Sequence, residues 1–367
     1  MTRPRWLSPS QWWIRPPPTR RSKQRRNVAF GACALVAHGI HSVVVSVIAG
    51  VSLFDGVLLA SDARVTVLRR GQPDVYLDCA QKLFPISSHA VIGFVGNVDV
   101  ASLLLREMFR QLPGRKRKDV VSLMLWISRL FRRRYGDRVG AEDCSAQVTF
   151  MLGAVLADRP NVVERESIVR VMNQIAFGQP AIQRNWIPDI LVRSLQSPPS
   201  VKYVRFTDLP LSTLWVMAAP KFELRRIPPL QFAAIGSGSP ATVKIADYHD
   251  MIVAGEPGNS FIEAMTLRHA INDYISESDI KTVGGLLPVA KITGNGVEAL
   301  GYGLEMPEDE IEIRLSFDSR AHRWIQKNVK TGKEITLLYP WEIPFDETKG
   351  KVFDDFLEAY RRFRGER

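Results

Sequence analysis

The sequence predicts an α+β fold: a four-layer αββα sandwich of two mostly antiparallel sheets between pairs of helices. Three observations carry that expectation. Segments with strand and helix character come in blocks of four strands, two helices, three strands and two helices, with further strands after them. The helices arrive in pairs, whereas a doubly wound parallel sheet alternates strand with helix. The β-branched run SVVVSVIAGVSLF (42–54) meets VLLASDAR (57–64) across Asp55-Gly56, a hairpin signal with a tight turn.

Taken in order, VYLDCAQKLFPI (75–86) and HAVIGFVGN (89–97) read as the next two strands, separated by a break at Pro85–Ser88. Residues 98–112 and 119–136 carry apolar positions at i, i+3 and i+4, the spacing of amphipathic helices. The first stops at Pro113-Gly114 and the second near Gly136. AQVTFMLGAVLAD (146–158), LSTLWVMAAPKFELRRI (211–227) and LQFAAIGSGS (230–239) are strands, and residues 241–250 and 260–278 form the second helix pair. GGLLPVAKIT (284–293) returns to the sheet. Between the two halves lies an insertion, 158–208, mainly helical in VVERESIVRVMNQI and WIPDILVRSL. Residues 301–367 add EIEIRLSF, EITLLYPWEI and the helix VFDDFLEAYRRF, a strand pair and a helix.

The apolar and charged fractions, 46% and 24%, are those of a soluble globular protein. The net charge of +11 does not call for a nucleic-acid partner, because residues 1–27 alone carry eight Lys/Arg and no acid, leaving about +3 for the rest. That Arg- and Pro-rich start lacks apolar periodicity, so residues 1–41 are expected to be a disordered extension ahead of a domain spanning 42–300. A basic stretch before an apolar run also has the pattern of a targeting or anchoring segment. His38 and His41 interrupt the run, and its second half is claimed by the sheet, so a membrane role is disfavoured. Cys33, Cys79 and Cys144 show no paired spacing, which fits a reducing, cytoplasmic compartment and gives no zinc signature. His249 and His269 have no partner at metal spacing. No metal or cofactor is expected, and no nucleotide motif is present.

GVLLASDAR, AQKLFPI, IGFVGNVDVASLL and FAAIGSGSP resemble, in order, blocks of proteasome-type β subunits and their bacterial relatives among the N-terminal-nucleophile (Ntn) hydrolases. The resemblance covers roughly 46–157 and 209–293. It implies a nucleophile at the first residue of the mature chain, sixteen residues before an acid. Counting back from Asp62 gives Ser46. The hydroxyl would attack the carbonyl, and the free α-amine, titrating near pH 8, would take the proton. By the same resemblance Asp62 orients Lys82, whose charge lowers the hydroxyl pKa. Gly96 supplies the oxyanion N–H, Ser237 holds the N-terminus, and Asp279 is the last acid, one residue out of step. Val65, Ala80, Phe94 and Val98 would line an apolar substrate pocket. The family also implies self-association into a ring, unfolded peptide substrates and an ATP-dependent unfoldase as a separate partner.

The sequence departs from that pattern in three places. The nucleophile is Ser rather than Thr. Val45, stiff and β-branched, stands where self-cleaving relatives have Gly. About four extra residues around RRGQ separate Asp62 from Lys82. The bland alternatives are a plain strand serine at 46, a surface Asp62–Arg64 ion pair, and a strand-to-helix turn at GSGS with Ser239 as N-cap. RKRK (115–118) and RRR (132–134) are read as solvated helix ends. Three functions are compatible with the chain: a serine-type endopeptidase, a non-catalytic structural subunit of a ring, and an amidohydrolase of a small amide.

Overall fold

Valine, isoleucine and leucine occupy successive positions of the central strands, so both faces of each strand must be covered by apolar layers. A computed structural model describes residues 46–67, 73–113, 119–138, 147–170, 198, 200–237, 241–253, 260–278, 283–284, 286–300, 303–306, 311–343 and 350–364, within the unit Gly39–Arg367. The described part is a mixed α/β fold with several antiparallel sheets. The expected extension 1–41 lies outside the described residues.

The first five-stranded sheet has the order β10-β1-β2-β11-β12. It is built from β1 (Val47–Ser52), β2 (Gly56–Ser61), β10 (Phe232–Gly236), β11 (Val289–Thr293) and β12 (Gly296–Leu300). The second has the order β5-β6-β7-β8-β9. Its strands are β5 (Leu83–Ser87), β6 (Ala90–Gly96), β7 (Val148–Glu164), β8 (Tyr203–Ala218) and β9 (Arg225–Ile227). Every pairing within both is antiparallel.

The period-two alternation of each strand sorts its side chains into separate cores. Ile48, Val57 and Leu59 face Val91, Val95, Met151 and Leu214 in one cluster shared by the two sheets. Val47, Ala49, Val51, Leu58 and Ala60 pack instead with Ile245 and Ile252 of α3 (Ala241–Val253) and Leu267 and Ile271 of α4 (Ser260–Ser278). Ile92, Phe94, Phe150 and Leu152 pack with Leu104 and Met108 of α1 (Val98–Gln111) and Ile127 and Phe131 of α2 (Val120–Arg138).

Several elements differ from the sequence expectation. The β1–β2 hairpin closes with Leu53 N donating to Gly56 O at 2.8 Å, so its tight turn is Phe54-Asp55, one residue before the expected Asp55-Gly56. Gly56 is required by close approach: a Cβ there would lie 2.2 Å from Ile292 O of the neighbouring β11. The segment 75–86 is not one strand. It divides into β4 (Val75–Asp78), which pairs with β3 (Arg64–Val67), and β5 in the second sheet. Pro85 is tolerated because β5 is an edge strand with a register shift there. The run 211–227 divides likewise into β8 and β9. The expected helical insertion begins as strand: β7 and β8 stay paired as far as Glu164 and Tyr203, and residues 165–170 are helical. WIPDILVRSL (186–195) and RKRK (115–118) lie outside the described residues.

The C-terminal segment is larger than a strand pair and a helix. It forms a sheet of order β13-β14-β15-β16, from β13 (Gly303–Met306), β14 (Ile311–Asp318), β15 (Arg323–Asn328) and β16 (Glu334–Thr336). A 3-10 turn at Pro340–Glu342 and α5 (Gly350–Arg364) follow. In α5, Phe353, Leu357, Tyr360 and Phe363 recur at helical spacing and are all buried.

Lys291 of β11, fully buried, lies 3.0 Å from Asp55 and 2.6 Å from Glu263 near the start of α4. One ammonium between two carboxylates is held protonated. The more buried acid, Glu263, is pushed up to about 7 by burial, against the pull of Lys291. A raised carboxyl holds a proton in the folded chain that the unfolded chain releases, so stability falls as pH rises from about 4.5 through about 7. The expected loss is about 3 kcal/mol, read from urea midpoints at several pH values. Glu263→Gln should flatten that dependence. A cavity of about 420 Å³ beside this triad, lined by Asp55, Lys291 and Ser260, lies at the Gly56 end of β2. Asp62 follows the opposite end, six strand residues away.

Candidate active site

Strand β1 begins at Val47, so Ser46 sits at the mouth of a strand whose partner β10 ends opposite it, with Val47 facing Gly236. Gly236 has φ +88°, and a Cβ there would lie 2.1 Å from Ser46 O. Only glycine fits both the conformation and the approach. Gly236→Ala is expected to destabilise the fold by about 2 kcal/mol or more, a loss to be measured by urea denaturation. One residue on, Ser237 Oγ donates to Ser46 O at 3.2 Å, and Tyr274 Oη of α4 donates to Ser237 O at 3.0 Å. Gly236 and Ser237 therefore fasten the backbone of residue 46.

Asp62 follows β2, the strand paired with β1. The hairpin register brings it back to the start of β1, where Val47 N donates to Asp62 Oδ1 at 3.0 Å. Lys82 arrives from the crossing between β4 and β5. Its Nζ donates to Ser46 Oγ at 2.6 Å, Asp62 Oδ1 at 2.9 Å and Arg64 O at 2.5 Å. Those three acceptors match the three N–H bonds of an ammonium group. Ser46, Asp62 and Lys82 each expose 0% of their surface. Burial pushes the Asp62 carboxyl up, against the pull of Lys82, and pushes the Lys82 amine down, against the pull of Asp62. Desolvation thus disfavours both charges, and the ion pair and its hydrogen bonds oppose it.

A lysine so placed lowers the cost of forming an alkoxide at Ser46 Oγ. With its affinity for the proton reduced, it is also closer to acting as a base itself. In the full chain the nitrogen of Ser46 is an amide and has no useful basicity.

Arg64 does not pair with Asp62. Its Nε and Nη2 donate to Asp78 Oδ1 and Oδ2 at 2.7 and 3.1 Å, across the β3–β4 hairpin. The sequence reading missed Asp78, and the Arg64↔Asp78 register of that hairpin is the signal that would have found it. Gly96 has φ +103°, and a Cβ there would lie 2.4 Å from Gln147 O. Its neighbour Val95 would touch a Cβ at Gly236 at 3.2 Å, which puts the end of β6 beside the end of β10. Asn97, next in line, caps α1 by accepting from Val100 N at 3.0 Å. Asp279 lies outside the described residues.

Val65, Ala80, Phe94 and Val98 share one apolar cluster and are no more than 1% exposed. Among the described residues, no group of three or more His, Cys, Asp and Glu could hold a metal ion, and no helix is long and apolar enough to cross a membrane. His249 is buried, with Nε2 2.9 Å from Leu230 O.

No family model matches the chain, and no curated protein matches it. Among solved structures, the chain is similar to a protein of the helical assembly of the Anbu complex from Pseudomonas aeruginosa. Identity is 13% and the TM-score 0.43, over 69% of this chain and 85% of that one. These findings correct the membership implied by the four sequence blocks. Without a matching family model, and with structural similarity this low, the blocks do not place the chain among proteasome β subunits or their Ntn relatives.

Proposed function

We propose that the chain is a serine-type endopeptidase in which Ser46, once it is the first residue, is the nucleophile. The observation that carries this reading is Lys82 Nζ at 2.6 Å from Ser46 Oγ and 2.9 Å from Asp62 Oδ1, with all three residues fully buried. A buried lysine costs several kcal/mol of desolvation, and a strand serine needs no such neighbour for structure.

In this reading Ser46 Oγ attacks the peptide carbonyl carbon while its proton passes to the α-amine. The resulting oxyanion is met by the N–H of Gly96. Collapse breaks the C–N bond, and the α-ammonium returns its proton to the leaving amine. Water then hydrolyses the Ser46 ester by the reverse proton route. Ser237 fixes the Ser46 carbonyl, and Asp279 is retained as a further acid. The proposed substrate is an extended, unfolded segment laid against this strand end. The apolar wall of Val65, Ala80, Phe94 and Val98 would then part to receive an apolar side chain. The three apolar clusters support a four-layer αββα sandwich. The exposed Val243, Met251 and Phe261 on the outer helix pair support self-association into a ring, readable by native mass spectrometry. A cytoplasmic site and a separate unfoldase belong to the same proposal.

Val45 and the burial of Ser46 favour one other reading, a structural subunit in which residue 46 stays mid-chain. The experiment that decides is hydrolysis of a peptide library by the chain beginning at Ser46, with a panel of small amides alongside. The proposal expects peptide cleavage that Ser46→Ala abolishes. Cleavage of small amides alone would replace it with an amidohydrolase, and no cleavage at all would leave the structural subunit.

A further inference from the structure

Lys82 enters the site from a short crossing, Asp78–Gln81, between a two-stranded hairpin and the edge of the second sheet. An isolated two-stranded hairpin is marginally stable, so something else must fix this crossing. The C-terminal segment does so. Asp78 N donates to Tyr360 Oη of α5 at 3.0 Å, and Gln326 Nε2 of β15 donates to Asp78 O at 3.2 Å. Leu338 N donates to Cys79 O at 2.7 Å, and Gln81 N donates to Leu338 O at 2.8 Å. The Gln81 side chain donates to His322 O at 3.0 Å and accepts from Trp324 N at 3.3 Å. Asp78, Gln81, Gln326 and Tyr360 are all buried. From Asp78 the chain of contacts runs through the Arg64 guanidinium to Arg64 O, which accepts from Lys82 Nζ.

We propose that the C-terminal segment 311–364 is a positioning element for Lys82, with Tyr360 and Gln326 as positioning residues that act through Asp78 and Arg64. The proposal rests on the reading of Ser46 and Lys82 as the reacting pair. A segment added only for bulk stability has no need to bond both backbone groups of Asp78 and both residues flanking Ala80. Such buried networks are satisfied as a unit, so loss of one bond is felt along the chain of contacts.

The test uses the full-length chain and the chain beginning at Ser46, each carrying Tyr360→Phe or Gln326→Met. Val352→Ala, an exposed change on the same helix, serves as control. The titration midpoint of Lys82, followed by NMR of labelled lysine side chains, needs no turnover. Weakening the Arg64 O acceptor should lower that midpoint by about half a unit or more. In peptide hydrolysis, kcat should fall about tenfold with KM unchanged, as for a small displacement of a reacting group. A Lys82 midpoint that does not move, with hydrolysis still abolished by Ser46→Ala, overturns the positioning role alone. A midpoint that moves while hydrolysis survives Ser46→Ala overturns the reading of the site and leaves only a structural anchor.

Discussion

Replacing Ser46 by alanine is expected to lower peptide hydrolysis by a factor on the order of 10⁴ or more, as removal of a nucleophile does. The fold should survive, because the change removes one oxygen from a strand end. The hydroxyl accepts from Lys82 Nζ, so its loss leaves one of the three N–H bonds unpaired. That costs about 1–2 kcal/mol, enough to lower the melting temperature by a few degrees without unfolding the chain. The check is kcat/KM on a cleaved peptide beside a thermal melt of the same preparation. A large loss of rate with a small loss of stability separates chemistry from folding. Rates that fall only in step with stability would make the serine structural.

The second large effect concerns stability. Lys82→Met keeps the length of the side chain and removes its charge, so the Asp62 carboxyl is left buried without its cation. Breaking one side of a buried pair costs about 3–5 kcal/mol. Asp62 Oδ2 already has no hydrogen-bond partner among the described residues, so the acid has little else to lean on. Removing both charges in Asp62→Leu/Lys82→Met should recover most of the loss, because two apolar side chains can fill the space without desolvation cost. Urea denaturation of the single and double variants measures both. A double variant no more stable than Lys82→Met would show that the packing of the pair, rather than its charge, holds this corner. Activity should be absent in both, which makes the pair a place where function costs stability.

Parts of this site were legible in the sequence. The Asp55-Gly56 signal between two apolar runs announced the β1–β2 hairpin, but the turn falls one residue earlier, at Phe54-Asp55, and that sets the register. Once that register is known, Asp62 must return to the start of β1. Ser237 came only from the resemblance, because GSGS by itself reads as a plain turn. Lys82 was found only through the spacing of the resemblance, since a lone lysine in AQKLF carries no periodic signal. The Arg64–Asp78 pair stayed hidden because it depends on the register of β3 and β4 across RRGQ. Reading 75–86 as one strand had also erased the crossing that turns Lys82 inward. The bond from Asp78 to Tyr360 spans 282 positions, and no local pattern could announce it. The family assignment failed for a related reason. Short blocks of strand, turn and glycine are what any tightly packed antiparallel sheet end requires, and they recur without kinship.

The proposed hydrolysis requires Ser46 to carry a free amine, because the α-amine is its base and an amide nitrogen is none. Intact mass of the protein purified from the cells that make it tests this directly. A chain that starts at Ser46 is the predicted result. A mass that retains Val45 and the residues before it, in protein that is otherwise fully assembled, would contradict the account.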